Sequence, residues 1–139
     1  MSKIIMINGD TLKVNMQSIS DVFVTFNYPN AKESQYINRK IVKQIIYSNG
    51  DTVIVTTPIV ISGEGDWEKV VLTTNPNNVS GLNNLGEIQG KGRSLFGSKK
   101  RKTLKAEKDI KIQAAKKSAF IIFVKSQTSF KITGTAYSY

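Results

Sequence analysis

The side chains best suited to contact another molecule are the basic groups of residues 91–117, which include eleven Lys or Arg and only two acids. Clustered cations attract phosphates and carboxylates. Four of them, at residues 99–102, directly follow Ser98, a residue type favoured at helix N-caps. Because positive charge at a helix start opposes the helix dipole, this run indicates an anion-contacting surface, and four solvated side chains are the alternative interpretation. The candidate residues for anion or partner binding are Lys91, Arg93, Lys99, Lys100, Arg101, Lys102 and Lys105.

Enzymatic chemistry is restricted by the absence of His and Cys from all 139 residues. That absence excludes a Ser-His-Asp triad, a Cys nucleophile, a disulfide and a zinc finger. Carboxylates remain, and Glu64, Asp66 and Glu68 could offer oxygen ligands to a hard cation, although a solvated linker is the favoured interpretation. We therefore predict a protein that is not an enzyme, with no catalytic residue, no metal site and no cofactor.

The Gly-rich segment of residues 86–100 invites a nucleotide-binding interpretation, because backbone amides near a helix start can hold phosphate. Its spacing fits neither common template. Gly86 and Gly90 enclose three residues where a P-loop has four, and Leu95 stands where a dinucleotide fingerprint has glycine. We predict instead a strand-to-helix connection whose glycines serve turn geometry.

Charge divides the chain into two parts. The formal net charge is +10, and residues 1–66 carry equal numbers of bases and acids, so residues 67–139 hold the whole excess. Such asymmetry indicates two modules, and we expect an acidic partner only for the second. We predict a neutral module at residues 1–61, a linker at residues 62–66 and a basic module at residues 67–139.

The neutral module has the sequence pattern of short antiparallel strands. Two Asn-Gly pairs lie between apolar alternations, which predicts two hairpins with type I′ turns. The segments at residues 4–14 and 45–55 are identical at seven of 11 positions. This identity indicates either an internal repeat or two independent turns that need the same residues, and turn preferences favour the second explanation. Val22, Val24 and Phe26 alternate with Phe23, Thr25 and Asn27 and are predicted core residues. We expect a β-meander that curls into an SH3-like barrel or half-barrel.

The basic module predicts the order ββαββ, which makes the whole chain α+β. Its strands are expected at residues 67–73, from 86 onward, at 119–125 and at 130–139, with one long helix over residues 98–118. Trp67 is predicted to be a core or interface anchor. At about 100° per residue, Leu104, Ile112 and Ala115 share one apolar face of the helix, and Ala106, Ile110 and Ala114 lie on another.

Several short motifs of the basic module resemble small envelope-associated bacterial domains of unknown function. They are WEKVV from Trp67, VSGL from Val79, GEI from Gly86, AAKKSA from Ala114, FIIFV from Phe120 and GTAY from Gly134. In those domains the helix ends in an Ala-Ala-x-x-Gly-Ala pattern, and Ser118 stands here where Gly is usual. The neutral module resembles small β domains of exported bacterial proteins with a Tyr-x-Asn-Gly hairpin. Both resemblances imply export, and neither supplies a catalytic residue.

These observations predict a non-catalytic structural or interaction protein of the bacterial envelope. Its basic helix start would contact an acidic protein or an anionic membrane surface, with Leu95 and Phe96 as an apolar pair that could insert beside the cations. A nonspecific nucleic-acid-binding protein is the alternative, but Phe96 is the only aromatic near the basic run. Self-association stays open. The longest apolar run, residues 119–124, is too short to span a bilayer, so we expect a periplasmic or envelope-associated protein if a leader was removed, and a cytoplasmic one otherwise.

Overall fold

Residues 1–92, 98–128 and 130–139 are described by the computed structural model, and they divide into two units. Unit 1 comprises residues 1–58 and 77–81 together with Tyr139. Unit 2 comprises Ile59–Pro76 and Leu82–Ser138. The predicted α+β class is confirmed, since unit 1 is a β-sheet and unit 2 combines a second sheet with one long helix.

Unit 1 is an open antiparallel sheet of six strands in the order β4-β3-β2-β1-β5-β6. Its core contains the predicted Val24 and Phe26, whereas Val22 is half-buried. In the part of the chain that the structure describes, β4 and β6 remain edge strands, so of the predicted SH3-like barrel or half-barrel the closed barrel is wrong. The strands are β1 (Ser2–Met6), β2 (Thr11–Ile19), β3 (Phe23–Asn27), β4 (Gln35–Asn38), β5 (Val42–Ile46) and β6 (Thr52–Ile54).

Both predicted Asn-Gly hairpins are present, but their turns are not of type I′. A type I′ turn needs positive φ at two successive residues, whereas here only the glycines, Gly9 (φ 95) and Gly50 (φ 92), adopt it. The Gly9 amide donates to the Met6 carbonyl at 3.0 Å, which defines a three-residue loop with glycine in the left-handed position. The asparagine uses its side chain instead, because Asn8 Oδ1 accepts from the Asp10 amide at 2.9 Å.

The second hairpin repeats the first bond for bond. Asn49 Oδ1 accepts from the Asp51 amide at 2.9 Å, and the Gly50 amide donates to the Tyr47 carbonyl at 2.9 Å. The strand registers are also equivalent, with Ile4 opposite Leu12 in one hairpin and Ile45 opposite Val53 in the other. The two similar segments therefore fold in the same way, and β1 and β5 join them side by side.

Unit 2 has the predicted ββαββ order of strands and helix. Its sheet order is β7-β9-β10-β8, in which β7 runs parallel to β9 and the other pairs are antiparallel. The elements are β7 (Val71–Thr73), β8 (Asn83–Lys91), α1 (Lys99–Lys116), β9 (Ile121–Gln127) and β10 (Lys131–Ser138).

Trp67 does not lie on a strand, contrary to prediction. It belongs to a 3-10 helix, Glu64–Lys69, and the strand begins only at Val71. The reason is local, because Asp66 Oδ2 accepts from the Ser62 amide at 2.8 Å and closes the chain into a turn before it can extend.

Helix α1 begins and ends as its sequence indicates. Ser98 is the N-cap, and its side chain accepts from the Arg101 amide. At the other end Ser118 adopts φ 60, while the Ala119 amide donates to the Ala114 carbonyl at 3.0 Å. This pattern is a Schellman motif, in which glycine is the usual left-handed residue.

The buried face of α1 carries Ala106, Ile110 and Ala114, as one of the two predicted apolar faces requires. The other predicted apolar face, which includes Leu104, is not buried at the N-terminal end of the helix, because Leu104 is 56% exposed. The helix rests on β8, and the prediction that the glycines there serve turns is wrong for Gly90 and Gly92. A Cβ atom on Gly90 would lie 2.3 Å from the Ala106 carbonyl oxygen, so these glycines let the helix backbone approach the strand.

Candidate anion-contacting surface

Five of the seven predicted contact residues lie in the first two turns of α1. Lys99, Lys100, Arg101 and Lys105 are exposed, and Lys102 is half-buried. Arg93 lies outside the described residues, as do Leu95 and Phe96, the apolar pair proposed to insert beside the cations.

Lys91 reaches the same end of unit 2 from another direction. It is the last residue of β8, and its amide donates to Asp109 Oδ2 on α1 at 2.8 Å. On either side of it, the Cβ directions of Gly90 and Gly92 point at the helix backbone. Because side chains alternate along a strand, the Lys91 side chain lies on the sheet face opposite α1.

Two residues that the sequence did not single out complete this end of the unit. Lys131, on β10, lies directly opposite Lys91 in the antiparallel register. Phe130, which precedes it, is 46% exposed, and its carbonyl accepts from the Gly92 amide at 2.7 Å. They lie more than two dozen residues after the four bases at residues 99–102. The only signal in the sequence was an aromatic residue next to a lysine at the start of the last predicted strand.

The end of β8 and the start of α1 reach the same end of unit 2 because they pack closely at Gly92. A Cβ atom there would lie 1.8 Å from the Lys102 carbonyl oxygen, so the end of β8 lies against the first turn of α1. We name the residues that these elements place at this end of unit 2 the basic end. It consists of Lys91, Lys99, Lys100, Arg101, Lys102, Lys105, Phe130 and Lys131.

The ion pairs of the described residues lie elsewhere in unit 2. Lys69 pairs with Asp66 at 3.4 Å, and Lys116 pairs with Glu64 at 3.8 Å. The third pair joins Lys125 to Glu87, and the hydrogen bond from Lys125 lowers the pKa of the Glu87 carboxyl. Within the described ranges, none of the seven cations of the basic end takes part in an ion pair.

The basic end contains two local electrostatic conflicts. The first turn of α1 holds basic residues and no acidic one, although a helix start favours negative charge. Lys91 and Lys131 face each other across the strand pair, where like charges are destabilising. Both conflicts concern the same end of the same unit but opposite faces of its sheet, so an extended anionic surface is needed to relieve both.

Two of the three acidic residues at 64–68, Glu64 and Asp66, are engaged within the fold. A hydrogen bond from the Ser62 amide, followed by contact with Lys69, lowers the pKa of Asp66, and Glu64 pairs with Lys116. A search of the described ranges finds no group of three side chains placed to hold a metal ion.

Trp67 packs against α1 within its own unit. The Lys108 ammonium lies 5.1 Å from the centroid of the Trp67 ring, a cation-π arrangement. Lys108 therefore has an aromatic partner inside unit 2, which separates it from the cations of the basic end.

Comparison of the chain with protein-family models, with curated proteins and with solved structures found no match. No helix among the described residues has both the length and the apolar character needed to cross a bilayer.

Proposed function

We propose that this chain is a non-catalytic interaction protein whose basic end contacts an acidic partner or an anionic membrane surface. One observation carries the proposal: seven cations from α1, β8 and β10 gather at one end of unit 2 without an ion-pair partner among the described residues. The bacterial envelope, which the resemblance of the sequence implies, is the proposed location.

The fold itself gives no reason for this arrangement. Each base in the first turn of α1 opposes the helix dipole by about 0.3–1 kcal/mol at low salt. Residues that destabilise their local structure, without a compensating gain elsewhere in the fold, are expected at functional sites. An anionic surface would replace the repulsion with attraction at the helix start and at the Lys91–Lys131 pair alike.

The test is salt-dependent binding to three polyanions: heparin, vesicles containing phosphatidylglycerol, and double-stranded DNA. The site variant replaces Lys99, Lys100 and Arg101 with Gln, which keeps helix propensity. We expect it to lose roughly a hundredfold in affinity for anionic vesicles, at about 1 kcal/mol per base.

The matched control replaces three exposed lysines of unit 1, Lys13, Lys32 and Lys43, with Gln, which lowers the net charge equally. We expect the control to bind almost as the unaltered protein does. Equal losses in the two variants would mean that net charge, and not the basic end, attracts the anion. Lack of binding to all three probes at low salt would overturn the proposal, and binding to DNA alone would favour the nucleic-acid alternative.

A further inference from the structure

We infer that the acidic surface met by the basic end is an anionic lipid bilayer, and that Phe130 and Leu104 enter its headgroup region. This inference rests on the proposed function and specifies its partner. Interfacial binding of this kind combines attraction between bases and anionic lipids with burial of a few apolar side chains.

Phe130 is held at the surface by its own turn. The Thr128 amide donates to the Lys131 carbonyl at 2.8 Å, and Thr128 Oγ1 accepts from the Lys131 amide at 3.1 Å, so the turn between β9 and β10 is closed. The Gly92 amide fixes the Phe130 carbonyl from the neighbouring strand. The aromatic is therefore presented next to Lys131 by a hydrogen-bonded turn, while almost half of its surface remains in water.

Leu104 is exposed beside several bases of α1. Residues three and four positions away on a helix are its surface neighbours, and these are Lys100, Arg101 and Lys108 together with one acid, Glu107. The face of α1 that packs on β8 carries Ala106 and Ile110 instead, so the fold does not use Leu104 as a core residue. An exposed apolar side chain among mostly basic neighbours is typical of helices that lie on membrane surfaces.

The apolar residues decide between the acidic partners. Cations alone suit DNA or an acidic protein, for which binding falls steeply with salt. Phe130 and Leu104 gain nothing from a phosphate or carboxylate, but they gain from a hydrocarbon boundary next to anionic headgroups. Phe130 belongs to the basic end and Leu104 lies between its Lys102 and Lys105 on α1, and we therefore assign a bilayer as the partner.

The experiment measures flotation with vesicles of phosphatidylcholine, with and without phosphatidylglycerol, in parallel with retention on heparin. We expect Phe130→Ser and Leu104→Ser each to lower affinity for the anionic vesicles about tenfold, the scale expected for removing one buried apolar side chain. Heparin retention should be unchanged in both variants. The matched controls are Tyr36→Ser and Ile54→Ser, whose side chains are 63% and 69% exposed on unit 1, and both should bind vesicles normally.

A second measurement reports penetration directly and does not depend on affinity. The chain has one Trp, so the difference between Phe130→Trp and the unaltered protein isolates position 130. We expect brominated phosphatidylglycerol chains to quench the added fluorescence. Heparin binding with no vesicle binding, or wild-type vesicle affinity in both Ser variants with no added quenching, would overturn the bilayer assignment and leave the proposed function standing. Lack of binding to any polyanion would overturn the proposed function itself.

Discussion

Two pairs of glycines, one pair in each unit, are required for opposite physical reasons. In unit 1, Gly9 and Gly50 have open space around them but a positive φ that other residues rarely adopt. In unit 2, Gly90 and Gly92 have no positive φ, but a Cβ atom would collide with the backbone of α1. The first requirement is local and depends on the chain alone, whereas the second arises only when a distant helix docks.

The largest effect that separates the two kinds of glycine is expected for Gly92→Ala. Because the obstructing Lys102 carbonyl is backbone, it cannot rotate away, and the helix must shift. We expect a loss of about 3 kcal/mol in the free energy of unfolding, at the upper end of overpacking costs, measured by urea denaturation. A Gly92→Ala protein as stable as the unaltered one would show that α1 does not rest on this strand.

A smaller loss is expected for Gly50→Ala. The added methyl group meets nothing within 4 Å, so the cost is the left-handed backbone alone, about 1–2 kcal/mol. Gly9→Ala is the matched variant, since its turn has the same hydrogen bonds, and it should cost the same within error. If either variant cost as much as Gly92→Ala, the distinction between local and tertiary glycines would fail.

The smallest effect is expected for Ser118→Gly, and it is an increase in stability. Ser118 adopts φ 60 in the C-terminal motif of α1, a conformation that glycine adopts without strain. Ser118→Gly should raise the unfolding free energy by about 0.5–1 kcal/mol, visible as a higher Tm. Ser126→Gly, at an exposed position inside β9, is the control and should lower stability. A lower Tm for Ser118→Gly would contradict the assignment of the motif.

Features set by neighbouring residues could be predicted from the sequence. The Asn-Gly hairpins, the N-cap at Ser98 and the ββαββ order each depend on a pattern within one element. Alternation likewise placed Val24 and Phe26 in the core. The type of turn was harder to predict, because an Asn-Gly pair is compatible with two geometries. Asn8 can adopt a positive φ, as in a type I′ turn, or its side chain can accept a hydrogen bond from the Asp10 amide, as it does here.

Features set by docking could not be predicted in this way. Leu104 belongs to an apolar stripe by periodicity, yet α1 turns a different face to β8. Phe130 and Lys131 join the basic end only because β10 pairs with β8, and no spacing in the sequence connects them to residues 99–105. The sequence thus predicted the members of the candidate surface on α1 and Lys91 on β8, but it did not predict Phe130 and Lys131.

The pairing of β1 with β5 has a consequence for the symmetry of unit 1. Ile4 lies opposite Ile45, its own counterpart in the similar segments, and Ile5 and Gln44 pair as Ile46 and Lys3 do. A local two-fold axis therefore passes between Ile4 and Ile45 and exchanges the two hairpins. Such an isologous contact is what usually joins identical subunits, so the strands β2, β1, β5 and β6 amount to a dimer of one motif contained in a single chain.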